Sequence, residues 1–340
     1  MSGASKMLCD NIHSALAPFL ARYEQVCVVA DEVLTIPDWP FSTLRMRVSE
    51  EAKSIDSIEQ IWDFLLSNGL TRKGLVIAIG GGVLTDMVGF ASATYKRGVN
   101  YINIPTSLLA MVDASTGGKT GINHCGIKNS IGAFHAPIET LICPQWLNTL
   151  PPQQFLSGFG EMLKMGLIVN SEKLWDALLQ YDLDRMDVKT LTPLINSCVR
   201  AKEEIVAADP HEEGLRKVLN FGHTFGHALE ELSLTGKAGL LHGYAVVFGL
   251  IAELYLSVTK LGCPREPLQQ LTQLMLHYYG KPQCKCTDRE RLIALMQQDK
   301  KNERAAEINC TLIKNIGSPL INQVISTDEA NESLDYLFSL

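Results

Sequence analysis

The sequence is short of several features that would define a specialised class of protein. Its 340 residues include 30 Lys and Arg against 37 Asp and Glu, a net charge of −7, so it lacks the basic excess typical of a nucleic-acid binder. It has nine cysteines but no Cys-x-x-Cys pair, which argues against a disulfide scaffold and for free thiols in a reducing compartment. Its 46% hydrophobic content is that of an average globular protein, which excludes collagen-like, disordered and coiled-coil classes.

Signals for membranes and for export are also missing. The most apolar tract, 239–258, contains His242 and Glu253, which makes it a poor membrane span. Asp10, Asn11 and His13 interrupt the apolar core that a signal peptide would need. We therefore expect a cytoplasmic protein that binds neither nucleic acid nor a membrane. No internal repeat or low-complexity segment is present.

The hydrophobic pattern divides the chain near Pro151. At roughly 150 residues per domain the length predicts two domains. Before Pro151, short apolar runs at 26–30, 75–79 and 101–104 are typical of parallel strands buried on both faces. A helix predicted over 57–67 lies between the first two runs, and such a crossover is right-handed. We expect an α/β domain over 1–150 and a helical domain over 151–340, where the pattern predicts helices at 155–169, 191–207, 225–234, 244–261 and 266–279.

Two glycine-rich segments in the first domain are candidate ligand-binding loops. Gly80, Gly81 and Gly82 follow an apolar strand directly, so their N–H groups and the next helix N-terminus could hold a pyrophosphate. The alternative is a tight connection without a ligand. The stretch from Asp113 to Lys119, followed by Lys128 and Asn129, is either a ligand-binding loop whose glycines permit close approach or a solvated loop.

A polar set in the second domain is the strongest candidate site. Arg216, Asn220, His223 and His227 step by four, three and four residues, and on one continuous helix they would share a face. Such polar groups are buried only when they are paired or bind something. Spacing alone favours His223 and His227 as two metal ligands and leaves the third open.

Other polar residues allow a simpler interpretation. Glu161 and Lys164, one turn apart at the predicted head of a helix, are expected to form an ordinary surface ion pair. The run from Asp299 to Asn302 is expected to be a solvated turn. His242 is a further histidine with no assigned role from spacing.

Taken together, several motifs resemble the 3-dehydroquinate synthase family of sugar phosphate cyclases. The resemblance extends over about 31–317 and is carried by GGGVLTD, ATYKRG, IPTSLLAMVDASTGGKT, KNSIGAF, TLPPQ, GEMLK, RKVLNFGHTFGHALE, LLHG and DKKN. It implies a Rossmann-like, NAD-binding α/β domain and an all-α, metal-binding domain, with the active site in the cleft between them. It also implies that the metal, Zn²⁺ or Co²⁺, is held by Glu161, His223 and His242, which makes His227 a substrate-binding group.

The resemblance also implies residues for NAD⁺, for the substrate and for a dimer. The implied NAD⁺-binding set is Asp31, Glu50, Lys53, Gly81, Gly82, Val83, Asp86, Thr106, Ser107, Lys119, Lys128, Trp146 and Thr149. The implied catalytic and substrate-binding set is Asp113, Lys119, Asn129, Lys164, Lys202, Arg216, Asn220, His227 and Lys300, with Lys301 as the alternative to its neighbour. Arg97 corresponds to an arginine that members offer across a homodimer interface.

The implied reaction converts 3-deoxy-D-arabino-heptulosonate 7-phosphate to 3-dehydroquinate and phosphate. It proceeds by transient oxidation with NAD⁺, elimination of phosphate, reduction and an intramolecular aldol step. The substrate carries a carboxylate and a phosphate, so an acidic protein must build a local basic cavity for it. Because the nicotinamide is regenerated, NAD⁺ is a catalyst and not a co-substrate.

Three positions depart from the family pattern, and alternative functions remain. Val33 stands where Asn is usual near the adenosine ribose, Tyr244 replaces a usual Glu after the second metal histidine, and Asp209-Pro210 replaces an acidic pair. The alternatives are a cyclase for the amino analogue or for sedoheptulose 7-phosphate, a metal-dependent polyol dehydrogenase and a non-catalytic NAD or phosphosugar sensor. A polyol dehydrogenase would consume NAD⁺ and would not need so many cations.

Overall fold

Two compact units make up the chain. The computed structural model describes residues 5–234, 239–284, 286–298 and 307–340. Its units are Met1–Pro151 and Pro152–Leu340.

A six-stranded sheet, parallel throughout, forms the centre of the first unit. In chain order the strands of this unit are β1 (Ser5–Leu8), β2 (Val26–Asp31), β3 (Ser42–Met46), β4 (Leu75–Gly80), β5 (Asn100–Pro105), β6 (Lys119–His124), β7 (Ile127–Phe134) and β8 (Glu139–Ile142). The sheet has the order β1-β8-β5-β4-β2-β3, while β6 and β7 form a separate antiparallel hairpin. The helices are α1 (Ile12–Leu20), α2 (Ile55–Ser67) and α3 (Gly82–Thr94). The parallel α/β expectation is confirmed.

The sheet is buried on both faces because its strands are apolar at consecutive positions. In β2, Val28 packs into the cluster that includes Leu16 of α1. Its neighbour Cys27 packs into the opposite cluster, which holds Ile58 of α2 and Met87 of α3. Successive side chains of a strand point to opposite faces, so an unbroken apolar run covers both layers at once.

The strand order places a ligand-binding edge at the end of β4. The chain leaves β2 for β3 on one side of the sheet, whereas it leaves β4 for β5 on the other. Such a switch in direction opens a crevice at the carboxyl ends of the strands, where α/β proteins bind their ligands. Gly80, Gly81 and Gly82 lie at this point, between β4 and α3.

The second unit is helical, with one hairpin that the sequence analysis did not predict. Its helices are α4 (Pro152–Ile168), α5 (Glu172–Leu179), α6 (Val188–Ala208), α7 (His223–Ser233), α8 (His242–Leu261), α9 (Glu266–Tyr278), α10 (Arg289–Gln297) and α11 (Thr327–Ser339). The hairpin pairs β9 (Ile308–Ile313) with β10 (Pro319–Ile325). An all-α unit was therefore an incomplete expectation, because a two-stranded ribbon needs only two short segments and carries little sequence signal.

Glycines allow three helices of this unit to approach closely. A Cβ added at Gly243 in α8 would overlap the carbonyl oxygen of Ser157 in α4, and one added at Gly249 would overlap the carbonyl oxygen of Gly222 just before α7. Hydrogen is therefore the only side chain that fits at either position. This packing brings α4, α7 and α8 together where the candidate metal ligands lie.

Helix α8 is also the one described helix that could span a membrane by length and composition. Of its most apolar window, 67% is buried inside the structure. That is the environment of a core helix in a soluble protein.

The expectation of free thiols is wrong for one pair of cysteines. Cys9 follows β1 and Cys143 follows β8, and the two form a disulfide with Cα atoms 5.1 Å apart. The strands are neighbours in the sheet, but the cysteines are separated by 134 residues in sequence, so spacing could not reveal the pair. Cys27, Cys125, Cys198, Cys263 and Cys284 are free thiols in the described part of the chain.

Candidate active site

One carboxylate and two imidazoles converge inside the second unit. Glu161 projects from α4, while His223 and His242 are the first residues of α7 and α8. Oε1 of Glu161 lies 3.5 Å from Nε2 of His223 and 3.4 Å from Nε2 of His242. One ligand atom from each of the three lies within 4.8 Å of the others. This donor set matches catalytic zinc sites, which use three protein ligands and leave a position open.

The outer nitrogens of both imidazoles are hydrogen-bonded in the way that metal ligands require. Nδ1 of His223 donates to the carbonyl oxygen of Phe221 at 3.1 Å, since a carbonyl can only accept. Nδ1 of His242 lies 3.1 Å from Oε2 of Glu230. These contacts engage both Nδ1 atoms, so the Nε2 atom of each ring, which faces Glu161, is the one that would coordinate a metal. The residues therefore fit a divalent metal ion.

Glu161 is a buried charge that its surroundings keep ionised. Burial favours the neutral carboxyl and raises its pKa, but the ion pair with Lys164 and the nearby imidazole of His242 outweigh burial and hold the pKa well below its usual range. Both Glu161 and Lys164 are 1% exposed. The expectation of a surface pair at a helix head is therefore wrong, because Glu161 lies in the middle of α4 and that helix is buried over most of its length.

The continuous helix expected from Arg216 to His227 is interrupted. Leu215–Asn220 is a 3₁₀ helix, and α7 begins only at His223. Gly222 between them has φ +79°, a left-handed conformation that ends one helix and starts another in a new direction. The i, i+4 pair of His223 and His227 does lie together, with ring centroids 5.1 Å apart. Nε2 of His223 lies 3.5 Å from Oε1 of Glu161, and the His223 ring centroid is 5.4 Å from that of His242.

The proposed substrate-binding cations of the second unit are buried. Lys164, Lys202 and Arg216 are each less than a tenth exposed, although long charged side chains are almost never buried unless paired. The loop before Arg216 is organised by Asp209, whose carboxylate accepts the backbone N–H of Arg216 at 3.0 Å. Nη1 of Arg216 donates to the carbonyl oxygen of Pro210 at 2.7 Å.

Asn220 and Glu212 are paired within the same segment. Nδ2 of Asn220 donates to Oε1 of Glu212 at 2.9 Å. This contact fixes the amide with its oxygen turned away from Glu212, so the amide can present an acceptor to a ligand hydroxyl.

Sequence reasoning missed Glu230. It lies on α7 seven residues after His223 and three after His227, so a helical wheel places it near the histidine face. It is mostly buried and contacts His242. An acid on the apolar side of a helix is the signal that could have found it.

In the first unit the glycine turn presents the start of α3. Gly81 caps α3, and no side chain caps the helix. The first N–H groups of a helix lack intrahelical acceptors, so those of Gly82 and Val83 are available to an anion. A Cβ at Gly81 would approach Oγ of Ser107 to 3.5 Å, and Thr106 donates its N–H to the carbonyl oxygen of Gly80 at 3.0 Å. These residues fit the pyrophosphate of a dinucleotide.

A polar network around the buried Lys53 joins residues assigned to NAD⁺ and to the substrate. Nζ of Lys53 lies 2.5 Å from Oδ2 of Asp86 and 2.5 Å from Oδ1 of Asn129. Asn129 donates its N–H to Asn123, whose amide in turn binds Glu50. Burial raises the pKa of Asp86 to about 6, although the neighbouring Lys53 ammonium lowers it.

The remaining assigned residues lie at separate places in the first unit. Asp31 ends β2, and its carboxylate accepts the N–H of Val33. Asp113 lies in a π-helical turn, Ala110–Ala114, and such turns are frequent at functional sites. Trp146 and Thr149 lie in a 3₁₀ helix after β8. The others occupy strands and an exposed turn, with Lys119 in β6, Lys128 in β7 and Arg97 before β5.

Two expectations fall on residues that the structure does not describe. Lys300 and Lys301 lie outside the described ranges. The expected solvated turn from Asp299 to Asn302 lies there too.

The fold and the site define a class of protein. The first unit is a parallel α/β domain in which a glycine turn leaves the N-terminus of α3 without a side-chain cap. The second is a helical unit whose two histidines and one carboxylate can hold a catalytic metal. That combination is typical of enzymes that use a nucleotide cofactor and a metal ion on one small substrate.

Comparisons with known proteins narrow this class. The N-terminal and C-terminal family models of 3-dehydroquinate synthase match residues 43–157 and 158–302. The 3-dehydroquinate synthase of Parabacteroides distasonis is 42% identical over 348 residues, covering 99% of this chain and 98% of that protein. The chain therefore belongs to the 3-dehydroquinate synthase family, and its activity is that of this phosphorus–oxygen lyase, which acts on a sugar phosphate in the shikimate pathway.

Solved structures share the fold. The 2-epi-5-epi-valiolone synthase ValA of Streptomyces hygroscopicus, with NAD⁺ and Zn²⁺ bound, has a TM-score of 0.84 and 25% identity, covering 99% of this chain and 97% of that one. A 2-deoxy-scyllo-inosose synthase complexed with carbaglucose-6-phosphate, NAD⁺ and Co²⁺ has a TM-score of 0.83 and 21% identity, covering 96% and 95%. At that identity the second likeness concerns the fold alone.

Proposed function

We propose that Glu161, His223 and His242 hold one Zn²⁺ or Co²⁺ ion and that the β4–α3 turn holds NAD⁺, to convert 3-deoxy-D-arabino-heptulosonate 7-phosphate to 3-dehydroquinate and phosphate. The observation that carries the proposal is the orientation of the two imidazoles, which turn their Nε2 atoms toward a buried carboxylate. The valiolone synthase with a similar fold was solved with NAD⁺ and Zn²⁺.

The three ligands leave room for the substrate on the metal. A metal in this site supplies Lewis-acid polarisation of a bound hydroxyl. The chain contributes the geometry, because Phe221 and Glu230 fix the orientation of the two imidazoles. Lys164 balances the charge of Glu161 before a metal binds. Once a metal is bound, Lys164 can contact oxygen atoms of the substrate.

Buried cations provide the positive environment that a phosphorylated acid needs. At neutral pH the substrate carries about three negative charges, since a phosphate monoester contributes about −1.5 to −2 and its carboxylate one more. In the second unit we assign Lys202 and Arg216 to the phosphate and carboxylate of the substrate. Asn220 and His227 are assigned to the substrate's hydroxyl groups. Lys300 joins this set by resemblance alone. Arg216 offers a planar guanidinium suited to a carboxylate or a phosphate.

The first unit would bind and orient the dinucleotide. NAD⁺ supplies the transient hydride acceptor of the reaction. The N–H groups after Gly81 bind its pyrophosphate, and Asp31 at the end of β2 receives the ribose. Thr106, Ser107, Lys119 and Lys128 line the remainder of the proposed site, with Asp113 and Asn129 on the substrate side. No dedicated base is assigned, because the departing phosphate can itself accept the proton.

Arg97 is assigned to a homodimer. It is exposed and has φ +67° in the turn before β5, so its backbone holds an uncommon conformation. We propose that it reaches the substrate site of a second copy in a cytoplasmic homodimer.

A single assay separates this function from its alternatives. Purified protein is incubated with NAD⁺, Zn²⁺ or Co²⁺ and the heptulosonate phosphate, and phosphate, dehydroquinate and NADH are followed. We expect phosphate and dehydroquinate in equal amounts without net NADH. Steady NADH from a simple polyol would instead identify a dehydrogenase. Turnover of sedoheptulose 7-phosphate or of the amino analogue in preference to the acid would identify another cyclase.

A further inference from the structure

Glu253 is a buried carboxylate that lies outside the proposed donor set. It belongs to α8 and is fully buried. Burying a charge is costly unless it is hydrogen-bonded. Its Oε2 accepts the backbone N–H of Gly222 at 2.7 Å, and its Oε1 accepts the backbone N–H of Thr224 at 3.0 Å.

The two N–H groups that Glu253 binds lie on either side of the metal ligand His223. Gly222 caps α7 but has no side chain with which to do so, and the first turn of α7 contains no acidic residue. The N–H groups at a helix start need acceptors from elsewhere. Glu253 supplies them from another helix, and it therefore fixes the backbone from which the His223 ring projects.

The same helix holds this segment at a second point and carries the other imidazole ligand. Gly249, one turn before Glu253, packs so closely on the carbonyl oxygen of Gly222 that no Cβ would fit. His242 begins α8 itself. Helix α8 thus sets the separation of the two imidazoles, because one is its first residue and the other is attached to it through Glu253 and Gly249.

Charge adds to this geometric effect. A helix N-terminus carries a partial positive charge, and His223 lies at the N-terminus of α7, where that charge would repel a bound cation. The carboxyl oxygens of Glu253 carry partial negative charge and offset it at the same N–H groups. A divalent cation beside His223 is consequently favoured by Glu253 without direct contact.

We propose that Glu253 is a positioning residue for the metal site, which acts by capping α7 and orienting His223. This inference rests on the metal site proposed above. It assigns to Glu253 a function in metal affinity and not only in folding.

The test compares Glu253→Gln with a matched structural variant, Ser257→Ala. Ser257 lies one turn further along α8, is equally buried, and hydrogen-bonds to Ile313 and to the backbone of Glu253. Zinc affinity is measured by competition with a chromophoric chelator, and thermal unfolding is recorded without metal. The visible spectrum of the Co²⁺-loaded protein reports the coordination geometry.

We expect Glu253→Gln to weaken zinc binding about tenfold or more, the effect typical of residues that orient metal ligands, and to alter the Co²⁺ spectrum. Ser257→Ala should lower the unfolding temperature while leaving both metal readouts unchanged. If Glu253→Gln does not fold, Glu253→Asp is used, since it keeps the charge but is one methylene too short to hold both N–H groups. Unchanged zinc affinity in a folded Glu253 variant would overturn the inference. Absence of stoichiometric zinc binding by the unaltered protein would instead overturn the metal site itself.

Discussion

The buried ion pair of Lys164 and Glu161 predicts a change in stability that depends on metal. Substituting Lys164→Met removes the ammonium but leaves a carboxylate of 1% exposure without that partner. Breaking a buried pair in this way costs roughly 3–5 kcal/mol. For a unit of this size each kcal/mol corresponds to about 2–4 °C in Tm, so the metal-free variant should melt roughly 6–20 °C below the unaltered protein.

Zinc should restore much of this loss, because the ion supplies the positive charge that Glu161 then lacks. Metal binding to the folded state alone stabilises it by about 2.7 kcal/mol when free zinc is 100 times Kd. The stabilisation should be larger in the variant, where no ammonium competes with the metal for the carboxylate. Differential scanning fluorimetry with EDTA and then with excess zinc measures both effects.

The control is Lys260→Met, which breaks a Lys–Glu pair of similar length at the surface. Nζ of Lys260 lies 2.6 Å from Oε1 of Glu329, and both side chains are about one third exposed. Such pairs contribute at most about 1 kcal/mol to the free energy of unfolding. We expect a small loss of stability that is the same with and without zinc. Equal zinc shifts in Lys164→Met and in the unaltered protein would refute the placement of Glu161 as a metal ligand.

Three further predictions concern other parts of the molecule. His242→Ala should abolish turnover and metal retention, measured by phosphate release and metal analysis, and full activity would remove it from the ligand set. Burial raises the pKa of Asp86 to about 6, although Lys53 lowers it, so the folded protein holds the Asp86 proton more tightly than the unfolded chain does. The resulting stabilisation is complete below about pH 4, near the unfolded pKa of Asp86. It is lost as the pH rises through 6. Asp86→Asn should remove this loss of stability with rising pH. Identical pH profiles of Tm for the variant and the unaltered protein would contradict the prediction. Gly249→Ala should destabilise the protein by about 1–3 kcal/mol or more, because its Cβ would overlap the carbonyl oxygen of Gly222; unchanged urea unfolding would show that α7 and α8 can separate at no cost.

The parallel sheet was predictable because its signal is local. The runs at 26–30 and 75–79 are apolar at every position, and β2 and β4 occupy them with one residue added at the end of each. Only burial on both faces favours such a run in a soluble protein. The long helices of the second unit were predictable for the same reason, since their apolar period repeats over many turns.

Local pattern failed where the chain changes direction. The spacing of Arg216, Asn220, His223 and His227 fits one helix, yet Gly222 adopts φ +79° and separates two. Glycine occupies that conformation as readily as a helical one, so its identity alone does not reveal the break. The prediction of a surface ion pair between Glu161 and Lys164 failed for a similar reason. Their spacing of one helical turn places them on the same face but does not show whether that face is buried.

The sequence by itself determined the two kinds of architecture, the glycine turn after β4 and, through its motifs, the family. Each of these depends on residues that are close together along the chain or stand in a fixed order. Only the tertiary structure decided which groups meet: Glu161 with His223 and His242, Glu230 with His242, Glu253 with the start of α7, and Cys9 with Cys143. Such contacts arise from the close packing of helices and strands that are distant in sequence. The spacing of residues along the chain therefore does not predict them.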